Sequence, residues 1–153
     1  MTASPHAARR LAALVAAVGL TAVAGCSLVP GLPNVTTNGT VVVTYDGKPV
    51  PADIGKLICT FDGKGNVAFL SGNEKSGDTF VGAYTTDGQH TAVIKTADYP
   101  MGLVAGDSDS SKDITKATVD KQVYTFEGTM TDLSTVATGQ PAKKPFKAVI
   151  TCK

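Results

Sequence analysis

"KLICTFDGKGNVAFL", residues 56–70, decides the fold. It holds two short β-prone runs separated by Asp62-Gly63-Lys64-Gly65. Leu57, Cys59 and Phe61 fall on one face of the first run, opposite Lys56, Thr60 and Asp62. This period of two marks a half-buried strand. Asp-Gly between such runs favours a hairpin, because glycine takes positive φ at no steric cost. The same grammar repeats outward. Upstream, "TVVVTY" (40–45) runs into Asp46-Gly47-Lys48. Downstream, "SGNEKSGD" follows Leu70, and "TFVGAYT" (79–85) and "HTAVIKTA" (90–97) flank Thr86-Asp87-Gly88-Gln89. "ATVDKQVYTFEGTM" (117–130) comes next, and "PFKAVITCK" (145–153) ends the sequence. Turns at this spacing predict a mainly β protein with a single antiparallel β domain, a sandwich or half-open barrel, over residues 41–153. Residues 131–138 offer a short helix, although their Thr and Ser content speaks against one.

The chain has 153 residues, the size of one domain. Its start reads differently from the rest. His6, Arg9 and Arg10 form a short basic beginning, residues 11–23 are almost purely apolar, and no acidic residue precedes Asp46. Thirteen helical residues span about 20 Å, short of the roughly 30 Å hydrocarbon core of a bilayer. Residues 1–25 are therefore expected to be a signal peptide rather than a mature span. Val23-Ala24-Gly25-Cys26 resembles the lipobox of bacterial lipoproteins, in which the cysteine thiol is acylated and the peptidase cuts before it. Two or three acyl chains on Cys26 would anchor the protein durably, where a single chain binds only marginally. The expected location is the outer face of the cell membrane, within the envelope. Residues 26–40 are uncharged and rich in Pro, Gly and Asn, and are expected to form a flexible tether. Thr36, Thr37 and Thr40 are its candidate O-glycosylation sites.

Removal of residues 1–25 leaves 12 lysines and 13 acidic residues, close to neutrality. That balance gives no field for nucleic acid, which needs clustered Lys and Arg. With Cys26 acylated, two of the three cysteines remain. Cys59 lies on the apolar face of its run, and Cys152 shares a face with Phe146, Ala148 and Ile150. In an exported protein this pattern predicts a Cys59–Cys152 disulfide. Such a bond closes a loop of roughly 94 residues, which in the chain-entropy model stabilises by about 4–5 kcal/mol.

"GKLICTFDGKGNVAFLSG" (55–72), "VYTFEGTMTDL" (123–133) and "KKPFKAVITCK" (143–153) resemble segments of the mycobacterial 19-kilodalton lipoprotein antigen family, the LpqH type. The lipobox and the threonine-bearing tether match that family's layout. The resemblance implies an acylated, surface-exposed envelope antigen of an actinobacterium. It also implies that host Toll-like receptor 2 senses the lipid on Cys26.

Signals for catalysis are thin. Neither G-x-S-x-G nor H-E-x-x-H occurs, and after residue 25 the only histidine is His90. His90 follows Thr86-Asp87-Gly88-Gln89 and reads as a solvated loop residue. "DSDSSKD" (107–113) alternates oxygen ligands as a calcium loop does. Lys112 and Thr118, however, stand where that loop needs Gly and Glu, so a solvated acidic loop is expected. Nothing calls for a metal or a cofactor. "YPMGLVAG" (99–106) is the most apolar segment outside the obvious strands. Tyr99, Met101 and Leu103 are its candidate contacts for an apolar ligand such as a lipid. The leading expectation is a displayed, non-catalytic lipoprotein whose partners are the membrane, through its lipid, and host receptors. The alternative is a carrier of a lipid or other small apolar ligand, and an enzyme acting on envelope glycans or lipids comes third.

Overall fold

Alternation of buried and exposed side chains runs through nearly every element of the computed structural model, which describes residues 34–108 and 111–153. The strands are β1 (Asn34–Tyr45), β2 (Lys48–Pro49), β3 (Leu57–Phe61), β4 (Val67–Gly72), β5 (Thr79–Tyr84) and β6 (Thr91–Lys95). They continue as β7 (Leu103–Ser108), β8 (Ser111–Lys112), β9 (Ile114–Asp120), β10 (Val123–Asp132) and β11 (Ala142–Thr151). All pairings are antiparallel, in the order β8-β7-β6-β5-β4-β3-β1-β11-β10-β9, with β2 beside β1.

One further contact bends this sheet into a barrel. The end of β10 meets β7, with Thr131 opposite Val104 and Asp132 opposite Leu103. The first half of β10 pairs instead with β9, from Val123 to Gly128. An eight-stranded ring, β7-β6-β5-β4-β3-β1-β11-β10, therefore closes over only two residue pairs. Of the two expected architectures, the half-open barrel is the one formed. Phe69, Phe80, Phe126, Leu57, Ile94, Leu103, Met130 and Ile150 fill its interior and are fully buried. Phe69 packs edge-on against Tyr124, with ring centroids 5.1 Å apart. Side chains occupy the inside of a barrel of this strand number.

The cysteine expectation holds. Cys59 and Cys152 are joined by a disulfide across a sequence separation of 93. β1 is hydrogen-bonded to both β3 and β11, so the bond staples the two strands that flank it. Both sulfur-bearing residues are buried.

Three expectations need correction. β1 begins at Asn34, so residues 34–40 are strand rather than tether and the folded domain starts before residue 41. Pairing supplies the reason. Asn34, Val35 and Thr36 lie opposite Phe61, Thr60 and Cys59 of β3. After a register shift at Gly39, the strand passes to β11 from Thr40 onward. A Cβ at Gly39 would stand 2.7 Å from the Thr151 carbonyl oxygen, so the crossover needs glycine. Secondly, the run 117–130 is two strands, divided where Lys121 takes φ 55°. Thirdly, the disfavoured helix exists as a 3₁₀ segment, Leu133–Thr138, because Asp132 caps it by accepting the Ser134 N–H at 2.9 Å. No helix among the described residues is long and apolar enough to cross a membrane.

Candidate functional site

The expected signal peptide (1–25), Cys26 and Asp109 lie outside the described residues. The other candidates can be placed. Thr37 and Thr40 are exposed on β1, whereas the Thr36 hydroxyl oxygen is buried. That burial removes Thr36 from the reach of a glycosyltransferase in the folded domain.

Tyr99, Met101 and Leu103 do not converge on a common cleft. Tyr99 is half-buried and stands edge-on to Tyr45, with ring centroids 5.7 Å apart. Met101 points to solvent at 64% exposure, and Leu103 is fully inside the barrel. The segment is a turn running into a strand rather than a groove: Thr96 and Tyr99 exchange backbone hydrogen bonds, Gly102 follows at φ 99°, and Leu103 opens β7. The apolar character of this stretch comes from two core residues, Leu103 and Ala105, the half-buried Tyr99 and Val104, and one solvent-facing methionine.

The acidic stretch is likewise more structural than expected. The Asp107 carboxylate accepts the Ile114 N–H at 2.9 Å and the His90 N–H at 3.4 Å. Asp113 accepts the Gly106 N–H at 3.3 Å and pairs with Lys143 Nζ at 2.5 Å. Both carboxylates are half-buried. They fasten β7 to the start of β9 across the β8 turn. Among the described residues no group of three His, Cys, Asp or Glu side chains is placed to hold a metal ion.

His90 departs furthest from expectation. It is buried, not solvated. Its ring stacks on Tyr84 at 4.9 Å and on Phe126 at 5.6 Å. Nδ1 accepts the Thr85 N–H at 3.3 Å. Burial pushes the imidazole below its ordinary pKa; Asp107 and Asp87 oppose that shift and Lys112 adds to it. The result is a neutral aromatic filler at the end of the barrel. Beside it opens a polar cleft of about 470 Å³, lined by Asp87, Gln89, Asp107, Ser108, Ser111 and Lys112.

A second feature escaped the sequence reading. Ile58, Leu70 and Val81 are exposed on the outer face of β3, β4 and β5. They border an open groove of about 550 Å³ that ends at Asn73, Glu74 and Gly77. The signal was present in "VAFLSG", where outward positions are apolar as well as inward ones.

A family model described as Mycobacterium 19 kDa lipoprotein antigen matches residues 34–152, from the first residue of β1 to the second disulfide cysteine. Compared with curated proteins, the chain found no match.

Proposed function

Because the chain belongs to the Mycobacterium 19 kDa lipoprotein antigen family, we propose that it is a non-catalytic surface lipoprotein. In this reading Cys26 carries the acyl chains that hold the barrel on the outer face of the cell membrane. The same lipid is what host Toll-like receptor 2 senses. The observation that carries the reading is the order of features in the first 26 residues: basic start, apolar core, then Val23-Ala24-Gly25-Cys26. The Cys59–Cys152 disulfide supports it, since such bonds persist in oxidising compartments outside the cytoplasm. The barrel then serves as a stable head whose loops face outward, with Thr37 and Thr40 as accessible glycan acceptors near the anchor.

Metabolic labelling with a palmitate analogue tests this in an actinobacterial host. The native protein should take up label and sediment with membranes, and Cys26→Ala should do neither. A Cys26→Ala protein that is still labelled would refute the assignment. A native lipoprotein fraction that fails to stimulate cells bearing Toll-like receptor 2 would remove the host-sensing part alone.

A further inference from the structure

The outer surface of the barrel has two unlike faces. On one, Ile58, Leu70, Val81, Val93 and Val104 are successive cross-strand partners, a single aliphatic row over β3 to β7. Leu70 is 55% exposed there, with Ile58 and Val81 exposed on either side of it, while Val93 and Val104 are half-buried. The adjacent row runs through Gly72, Thr79 and Lys95, with exposed Lys56 at its β3 end. β3, β4, β5 and β6 contain no acidic residue; Glu74 stands at the end of the groove, and Asp107 of β7 is engaged by the Ile114 and His90 N–H groups. On the other face, Lys147 of β11 pairs with Glu127 of β10 at 3.0 Å, and Lys116 of β9 with the same carboxylate at 3.6 Å. Contiguous exposed aliphatic surface marks an interaction site.

We infer that the β3–β7 face lies against the bilayer that carries the anchor, with the aliphatic row at the headgroup–acyl boundary and Lys56 and Lys95 on anionic headgroups. This rests on the reading of Cys26 as the lipid attachment point. Chain geometry favours the bilayer as the occupant. Eight residues, 26–33, separate the anchor from β1, and they reach at most about 28 Å. β1 begins opposite Phe61, three residues along β3 from Ile58, a distance of about 10 Å. The domain is thus held close to the membrane beside this face. Charge points the same way. Lysine stems cover apolar surface while their ammonium groups seek anions, and a symmetric contact with a second copy would have only Glu74, at the end of the groove, to set against Lys56 and Lys95.

The native chain has no tryptophan, so the mature lipidated protein carrying Leu70→Trp has a single reporter. Val42→Trp, at a position 60% exposed on the part of β1 that pairs with β11, is its counterpart. Each is reconstituted in vesicles of phosphatidylcholine and phosphatidylglycerol, with a fraction of the lipid brominated near the headgroup. The expected result is a blue-shifted Leu70→Trp emission quenched by brominated lipid, while Val42→Trp emits as in water. Adding Lys56→Glu and Lys95→Glu should abolish the quenching yet leave the protein on the vesicles. Sedimenting protein whose two reporters are equally open to aqueous iodide would overturn the docking and leave the anchor intact. Protein that stays in the supernatant would overturn both. A blue shift in lipid-free detergent that grows with protein concentration would assign the face to a second copy. Quenching indifferent to the lysine changes would overturn the role of anionic lipid.

Discussion

A single residue carries one of the tightest constraints in this barrel. Gly128 sits at a register shift between β10 and β9, where a Cβ would stand 1.9 Å from the Asp113 carbonyl oxygen. That carbonyl accepts the Thr129 N–H at 2.8 Å, so it is not free to move aside. Gly128→Ala is expected to destabilise by about 3 kcal/mol, the upper range for forced overpacking. Urea unfolding checks this, and a variant as stable as the native protein would show that the β8–β9 turn yields. His90 gives a pH dependence. The unfolded chain takes up a proton near the ordinary value of 6.5, and the folded state resists it because the ring is buried. The contribution is complete above about pH 6.5 and declines as pH falls toward the depressed folded pKa. His90→Phe keeps the stack on Tyr84 and Phe126 and removes the titration. Its melting temperature should fall less between about pH 7 and pH 5 than that of the native protein. Equal slopes would dismiss the histidine as the cause. The burial of His90 was legible in principle. His90, Ala92 and Ile94 share the period-two face of β6 extended one step back. The Asp-Gly turn in front of it drew the reading toward a loop instead.

At the scale of elements, what could be read was whatever the sequence repeats locally. Alternation placed Cys59 and Cys152 inward, and their bond follows from that placement. The Asp46-Gly47 hairpin was equally visible, and both residues take positive φ, 52° and 74°. The β9–β10 hairpin was not, because Lys121 adopts the same region without a glycine to announce it. The first half of β1 was also hidden. Its Pro, Gly and Asn neighbourhood resembles a linker, and its strand character comes from β3, which lies more than twenty residues later. The disulfide fixes this part of the ring, since it joins the two strands on either side of β1. Cys59→Ser or Cys152→Ser should each cost about 4–5 kcal/mol, and the double substitution should cost no more than either alone. Equal melting of the native protein with and without reductant would refute that estimate.

For the whole molecule, stability should follow the way the ring closes. β11 is paired along its length with β10, from Ala142 to Thr151, and from Phe146 onward with β1 as well. β7 is held to β10 by two residue pairs only, helped by the Leu133 N–H on the Gly102 carbonyl at 3.0 Å. β8 and β9 stand at the ends of the strand order. Opening at the β7–β10 seam exposes less ladder than opening anywhere else in the ring. Local opening of this kind exchanges amides at a lower free energy than global unfolding. Hydrogen exchange followed by mass spectrometry should therefore show peptides of β7, β8 and β9 exchanging first and those of β11 last. The disulfide reinforces this order, because it ties β3 to the end of β11 that pairs with Val123, whereas the seam lies at the other end of β10, at Thr131 and Asp132. Reduction should speed exchange in β1 and β3 more than in β7. If β7 amides exchange as slowly as those of β11 in the oxidised protein, the two-pair seam is not the weak point, and the barrel opens only as a unit.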